Sequence, residues 1–320
     1  MPEGNVRAGF VGCGVHARET LLPAVQRAEM DLAAICDLDK RLAQRTTRRF
    51  GAFRSYQDVR TMLAEMDLDA VLVCGPPELH AEAAAIALDG GCHVWMEAPA
   101  APTAEETLRL AELAAARGLI AQVGFAMRFA PVYRRLQEIA SEEQFGEVRA
   151  IEVALWLPKM HGHDDPVLFD LPHALDLVRT LGGDVAELSV TRASDTQPLL
   201  VGLKLQSGAI ASISFAAPVA CPREQVTVAG TSTVAVADDR RTITVKRCGC
   251  EEISLWGAGS CRAGAGASPE RLEGYLPEIE HFAAAVAGDA QPLATLQDAA
   301  AAQRLAELIA TGDGGVISVG

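Results

Sequence analysis

Val6-Arg7-Ala8-Gly9-Phe10-Val11-Gly12-Cys13-Gly14-Val15-His16-Ala17 is the stretch that decides the fold. Its first half is a short, mostly apolar run that stops at glycines, which reads as a strand buried on both faces of a parallel sheet. From Ala17 to about Ala28, Leu21, Leu22 and Val25 fall on one face, so a helix is expected directly after the glycines.

The pattern repeats outward from there. Leu32–Cys36 reads as a second strand, closed by Asp37, and helices are expected over 39–50 and 58–66. Ala70–Cys74 is a third apolar strand, broken by Gly75-Pro76-Pro77. Helix 79–89, strand 93–96, helix 103–117 and strand 119–123 complete the series. Strands alternating with helices at this spacing imply an α/β fold, a doubly wound parallel sheet of the Rossmann type covered on both faces. A ligand of such a sheet sits at the carboxyl ends of the strands, where the strand order reverses.

Gly12-x-Gly14-x-x-Ala17 stands at that end of the first strand. Gly12 permits a tight turn, Gly14 lets a pyrophosphate approach the backbone, and Ala17 is small enough for helix to pack on strand. The N–H groups around Val15 and His16 face the phosphates at a positive helix end. Asp37 follows at about the twenty-residue interval at which an acid meets the adenosine ribose. Its carboxylate would accept from the ribose hydroxyls and repel a 2′-phosphate. NAD is therefore the expected cofactor, and Lys40 and Arg41 stand near enough to admit NADP.

A chain of 320 residues calls for two domains. Half apolar, with a net charge of −14, it is an ordinary globular composition and a poor match for nucleic acid. Arg41, Arg45, Arg48 and Arg49 cluster, but at helical spacing between acidic flanks they read as a solvated face. No run approaches the roughly 18 apolar residues of a membrane span, and no leader is expected at the N-terminus. The eight cysteines are scattered, Cys36 and Cys74 at buried strand ends, which suits free thiols in a cytoplasmic protein. Cys248-Gly249-Cys250 with Cys261 could in principle hold zinc; lacking a second paired set, it reads as thiols that happen to lie close.

Three further segments carry a likeness: Cys74-Gly75-Pro76-Pro77-Glu78-Leu79-His80, Gly124-Phe125-Ala126-Met127-Arg128-Phe129, and Phe169-Asp170-Leu171-Pro172-His173-Ala174-Leu175-Asp176. With the glycine loop they resemble the Gfo/Idh/MocA family of two-domain oxidoreductases, which act on sugars, sugar nucleotides and cyclitols. The resemblance implies a dinucleotide domain over 1–125 and a substrate and oligomerisation domain over 126–320. That second domain would be α+β, with an open, largely antiparallel sheet. Alternation over 203–215 and 224–236, with turns at Ser207-Gly208 and Gly230-Thr231, agrees with such strands, and Tyr275 opens a late helix. The resemblance also implies a small polar substrate, a homo-oligomer (dimer or tetramer), and Gly75, Pro76 and His80 around the nicotinamide ribose.

The departures from the family pattern bear on chemistry. The family's Glu-Lys-Pro reads Glu97-Ala98-Pro99 here, and an Ala methyl neither donates nor accepts a proton. A second lysine usual just upstream is Cys92. Glu97 and Pro99 can still shape the cofactor loop, and Glu97 stays among the catalytic candidates. Asp170 and His173 lie three apart where relatives have four, with Pro172 where a glycine is usual. His173, with an intrinsic pKa near neutrality, is the expected acid/base, and Asp170 is expected to orient it or meet the substrate. On the bland alternative, Asp170 caps the helix and His173 fills space. Asp176 is expected behind the site or on the helix surface. Lys159, His161 and His163, in the loop with Asp164 and Asp165, are expected to border the substrate, with no metal required. Arg128 is expected at the cofactor, the domain junction or an anionic substrate group. The missing lysine keeps three readings open: a dehydrogenase with an atypical acid/base, an imine reductase or non-redox enzyme on the same scaffold, and a non-catalytic nucleotide-binding protein.

Overall fold

The computed structural model describes residues 5–158, 165–193, 198–249, 253–257, 268–312 and 315–319. The chain packs as two compact units, one of residues 1–126 and 274–303, the other of residues 127–273 and 304–320.

In the first unit, β1 (Arg7–Val11), α1 (Leu22–Arg27), β2 (Asp31–Cys36), α2 (Lys40–Phe50), β3 (Arg54–Tyr56) and α3 (Val59–Glu65) form the first half. β4 (Ala70–Val73), α4 (Pro77–Asp89), β5 (His93–Glu97), α5 (Ala104–Arg117) and β6 (Ala121–Gly124) form the second. The strands lie in the order β3-β2-β1-β4-β5-β6, every neighbouring pair parallel. The order reverses between β1 and β4, which places the ligand crevice beside the glycine loop. Leu21, Leu22 and Val25 are fully buried, as their spacing requires. The helix after the glycines opens with a wide π-turn over Ala17–Leu21, because Pro23 has no N–H for the carbonyl four residues back.

The second unit contains α6 (Ala126–Phe129), α7 (Pro131–Ala140), β7 (Val148–Trp156), α8 (Pro166–Phe169), α9 (Leu171–Gly182), β8 (Val185–Arg192), β9 (Leu199–Leu205) and β10 (Ile210–Ala216). β11 (Arg223–Gly230), β12 (Thr233–Asp238), β13 (Thr242–Arg247), β14 (Ile253–Gly257) and α10 (Pro269–Leu272) follow. After α11 (Tyr275–Ala287) and α12 (Leu296–Thr311), β15 (Val316–Ser318) closes the sheet. Its nine strands run β14-β13-β12-β11-β7-β10-β9-β8-β15, antiparallel throughout except for the parallel pair β7 and β10. Ile151, Val153 and Leu155 on β7, like Ala211, Ile213 and Phe215 on β10, alternate into the core.

The division of the chain differs from a single boundary at 125/126. Leu276, Ile279 and Phe282 of α11 are buried in the same core cluster as Phe10, Leu22 and Val25. Val123 N–H donates to the Ala294 carbonyl at 2.8 Å, so this segment also covers the free edge of β6. Gln303 at its end donates to the Ala101 carbonyl at 2.8 Å. Residues 274–303 thus complete the first unit's core, and the division between units falls inside α12.

Candidate functional site

The cradle of the first unit is built where β1, β2, β4 and β5 end. Gly12 has φ +91°, and a Cβ there would lie 2.0 Å from the Cys74 carbonyl oxygen. Its N–H donates to the Cys36 carbonyl at 2.8 Å, so the turn is sewn to the strands on both sides. Asp37 fixes the next residues: Oδ2 accepts from Cys13 N–H at 2.7 Å and Oδ1 from Asp39 N–H at 2.8 Å. Arg18 Nε donates to the Cys13 carbonyl at 2.9 Å from the first turn of the helix.

Gly14 is different. A Cβ there would meet nothing within 4 Å, and its φ is not left-handed, so neither the backbone nor protein packing demands a glycine. The empty side is what close approach of a pyrophosphate requires. Each Asp37 oxygen keeps a lone pair for ribose hydroxyls beyond its bond to the loop. Val15 is half exposed and Ala17 fully buried under the helix start. These residues fit a dinucleotide. Gly14→Ala is expected to leave Tm unchanged and to weaken NADH binding at least about tenfold, a loss of roughly 1.4 kcal/mol. Fluorescence titration checks it, and unaltered binding would remove the pyrophosphate from this position.

His80 ties two of the strand ends together. It is buried; its Nε2 accepts from Gly75 N–H and its Nδ1 lies against the Pro99 carbonyl, both at 2.8 Å. An N–H can only donate and a carbonyl only accept, so the ring is the neutral Nδ1–H tautomer. His80 therefore holds the Gly75-Pro76 turn against the Glu97-Ala98-Pro99 loop, whose Ala98–Pro99 peptide is cis. Glu97 folds back so that Oε2 accepts from Ala98 N–H at 2.9 Å, while Oε1 meets His16 Nε2 at 3.1 Å. Gly124 leaves room for this carboxylate, since a Cβ there would lie 2.9 Å from Glu97 Oε2. Cys92 is buried and gives its S–H to the Leu68 carbonyl, and burial raises its pKa to about 11, so it is a packing group. Burial likewise pushes the thiols of Cys13 and Cys36 up to about 12, and both stay neutral.

In the second unit, Asp165 caps α8 by accepting from Val167 N–H at 2.9 Å and Leu168 N–H at 3.3 Å. Asp170 does not cap α9. Its backbone is already helical (φ −98°, ψ −38°), Pro172 offers no N–H, and His173 N–H goes to the Asp170 carbonyl at 3.3 Å. Its side chain is instead buried, and Oδ2 makes no hydrogen bond among the described residues. Burial raises this carboxyl to about 6. His173, one turn on, is half-buried.

Asp176 is not a surface charge: it is 1% exposed and clamps Arg128 through two bonds of 2.5 Å, to Nε and Nη2. Arg128 is thus held by a forked ion pair within the second unit. Lys159, His161, His163 and Asp164 lie outside the described residues, as do Cys250 and Cys261.

Sequence reasoning missed a polar network on β11–β13. Arg240 holds Glu224 through Nε and Nη2 at 2.6 and 2.8 Å and Glu273 at 3.0 Å, and Tyr133 donates its hydroxyl to Glu224. Burial works against the Arg240 charge, but the two carboxylates outweigh it and raise its pKa. Beside it lies a cavity of about 310 Å³ lined by Trp156, Arg223, Asp239 and Glu273. Aromatic, carboxylate and guanidinium walls suit a hydroxylated ligand. Only the charges at 223–224 and 239–241 signalled it, and their pairing depends on the β11–β12 register.

A 3-2-1-4-5-6 parallel sheet with this cradle defines a dinucleotide-binding Rossmann unit. Residues 6–125 match the model of the oxidoreductase family with an NAD-binding Rossmann fold, Gfo/Idh/MocA. D-glucoside 3-dehydrogenase of Escherichia coli strain K12 is 30% identical over 153 residues, which span 46% of this chain and 42% of that relative. The chain thus covers less than half the length of such curated relatives. A dehydrogenase from Chromobacterium violaceum is similar over 97% of this chain and 96% of its own, with a TM-score of 0.86 at 26% identity. Levoglucosan dehydrogenase in complex with NADH shares the fold, with a TM-score of 0.88 over 99% of both chains at 18% identity. Over residues 6–125 the chain therefore matches the NAD-binding Rossmann domain of that oxidoreductase family.

Proposed function

We propose that the protein is an NAD-dependent oxidoreductase that interconverts an alcohol and a carbonyl on a small polyhydroxylated metabolite, such as a sugar, sugar nucleotide or cyclitol. The observation that carries this reading is the cradle: Gly14 open to a ligand while Gly12 and Asp37 lock the loop around it. Asp37 favours NAD over NADP, because a 2′-phosphate would face its carboxylate. Relatives named for glucoside and levoglucosan oxidation support the substrate class. The polar cavity beside Trp156 supports it as well.

The protein's part in the chemistry is to bind, orient and move one proton, since the hydride chemistry belongs to the nicotinamide. We assign the proton to the Asp170–His173 turn, where a carboxyl raised to about 6 by burial lies one helical turn before an imidazole along the chain. The carboxyl titrates near the working pH, as an acid/base group must. Ala98 favours a second reading, imine reduction or non-redox chemistry, in which no lysine is needed. The same proposal includes a homo-oligomer packed through the outer face of the second sheet, where Leu200, Ile210 and Leu255 are exposed.

The test is coenzyme absorbance with NAD+ and a panel of sugars and cyclitols. NADH formation on at least one is expected, with a turnover on the order of 1–10 s⁻¹. Ala98→Lys is expected to bring no gain, because another group already handles the proton. A large gain would mean that the site has merely lost its lysine, and silence across the panel would favour the second reading.

A further inference from the structure

The glycine loop carries two titratable side chains. Cys13 is sealed beneath it and stays a thiol. His16 faces outward with its side chain 43% exposed, its Nε2 3.1 Å from Glu97 Oε1. Its ring stands edge-on to Tyr275 of α11, centroids 5.5 Å apart at 67°. Glu97 is pinned by Ala98 N–H on its other oxygen, so the pair is built into the end of β5 and not a chance surface contact.

The charges around His16 leave Glu97 as its one close ionic partner among the described residues. Arg18, on the same helix, turns its guanidinium to the Cys13 and Gly14 carbonyls. Asp37 at the end of β2 accepts from Cys13 N–H and Asp39 N–H rather than from His16. Cys74 at the end of β4 is held neutral by burial and by the Glu97 charge. α11 presents the Tyr275 ring edge, and Glu278 on its first turn is fully buried. Burial pulls the imidazole toward its neutral form, but the hydrogen bond and charge of Glu97 prevail and raise its proton affinity above the ordinary histidine value.

The consequence concerns the coenzyme's charge and rests on the reading of this loop as an NAD cradle. The oxidised dinucleotide carries a cationic nicotinamide and the reduced one does not. While His16 is neutral, the negative charge of Glu97 favours the oxidised form. Once His16 is protonated, that charge is cancelled and the reduced form, one unit more negative, gains. We propose that His16, clamped by Glu97, takes up a proton as the reduced dinucleotide binds, so that the cradle favours NADH over NAD+ increasingly as the pH falls. Alcohol oxidation breaks a C–H bond, sends the hydride to NAD+ and frees the hydroxyl proton. The cradle then retains part of that proton alongside NADH and releases it when NADH leaves. The coupling is reciprocal, as any linkage between two binding events must be.

The experiment needs no turnover. NADH and NAD+ are titrated into the full chain by calorimetry, near pH 7, in two buffers of different ionisation enthalpy. Net proton uptake is expected with NADH in the wild type and none in His16→Asn. The ratio of the NAD+ and NADH dissociation constants is expected to rise about tenfold from pH 8.5 to pH 6, one pKa unit of coupling, and to be flat in His16→Asn. In Glu97→Gln the midpoint of that rise moves to lower pH, because the imidazole loses the charge that holds its proton. NADH binding without proton uptake, or uptake unchanged in His16→Asn, overturns the inference and leaves the coenzyme reading standing. Absence of NADH binding overturns the coenzyme reading, and this one with it.

Discussion

Gly12→Ala is expected to destabilise the first unit by at least about 3 kcal/mol and to leave no measurable dinucleotide binding. Two penalties coincide at this residue. Its φ of +91° is a conformation that side-chain-bearing residues rarely adopt, and its Cβ would sit 2.0 Å from the Cys74 carbonyl oxygen. That oxygen is backbone at the end of β4, so it cannot swing aside as a flexible side chain would. Relief requires β1 and β4 to part, at the point where Gly12 N–H also bonds the Cys36 carbonyl. Domains have margins of about 5–15 kcal/mol, so the variant should fold under mild conditions with the cradle opened. Urea unfolding and NADH titration measure the two effects, and a Gly12→Ala protein with wild-type stability and NADH affinity would refute the geometry. Gly14→Ala, two residues on, separates the causes: it perturbs the ligand alone, because no protein atom lies near its Cβ.

Much of this cradle is legible in the sequence because its parts are near neighbours along the chain. Gly12, Gly14 and Ala17 belong to one turn, and Asp37 closes the next strand. β1, β2, β4 and β5 are apolar enough to read as buried strands. β3 is not, since Arg54-Ser55-Tyr56 carries no apolar run and exists only because the edge of β2 offers it a partner. The apolar face of α11 is visible in Leu276, Ile279 and Phe282, but a face does not name what it packs on, and that choice moves residues 274–303 into the first unit.

Side-chain pairs between distant segments are where the sequence falls silent. Glu97 meets His16 across 81 residues and Asp176 meets Arg128 across 48. The Glu224–Arg240–Glu273 network also joins separate segments. His80 looks like a ligand residue in the sequence, yet both its nitrogens serve backbone groups that align only once β4 and β5 lie side by side. The absence of lysine at Ala98, by contrast, is plain from the sequence and directs attention to the other proton-bearing groups.

Asp170→Asn is expected to act in opposite directions on stability and on turnover at pH 8. The carboxyl is 8% exposed, without a partner for Oδ2 among the described residues, and raised from 3.8 to about 6 by burial. A raised carboxyl binds its proton more tightly folded than unfolded, so its stabilising contribution is complete below pH 3.8 and is lost as the pH climbs through about 6. Above that range the native state holds a buried carboxylate, at a cost of about 2–3 kcal/mol. Asn removes the charge, and the variant should therefore unfold at higher urea than wild type at pH 8 and show no gain near pH 4. If the carboxyl contacts the substrate or shares its proton with His173, kcat/KM should fall about 10²–10⁴-fold in the same protein, and in His173→Ala as well. The limb of the wild-type pH–rate profile near 6 should vanish in Asp170→Asn, a change that mere repacking would not produce. A variant that loses stability at pH 8 would show that the carboxylate has a partner in the folded protein. A more stable variant with full turnover would remove Asp170 from the chemistry and leave His173 to carry the proton alone.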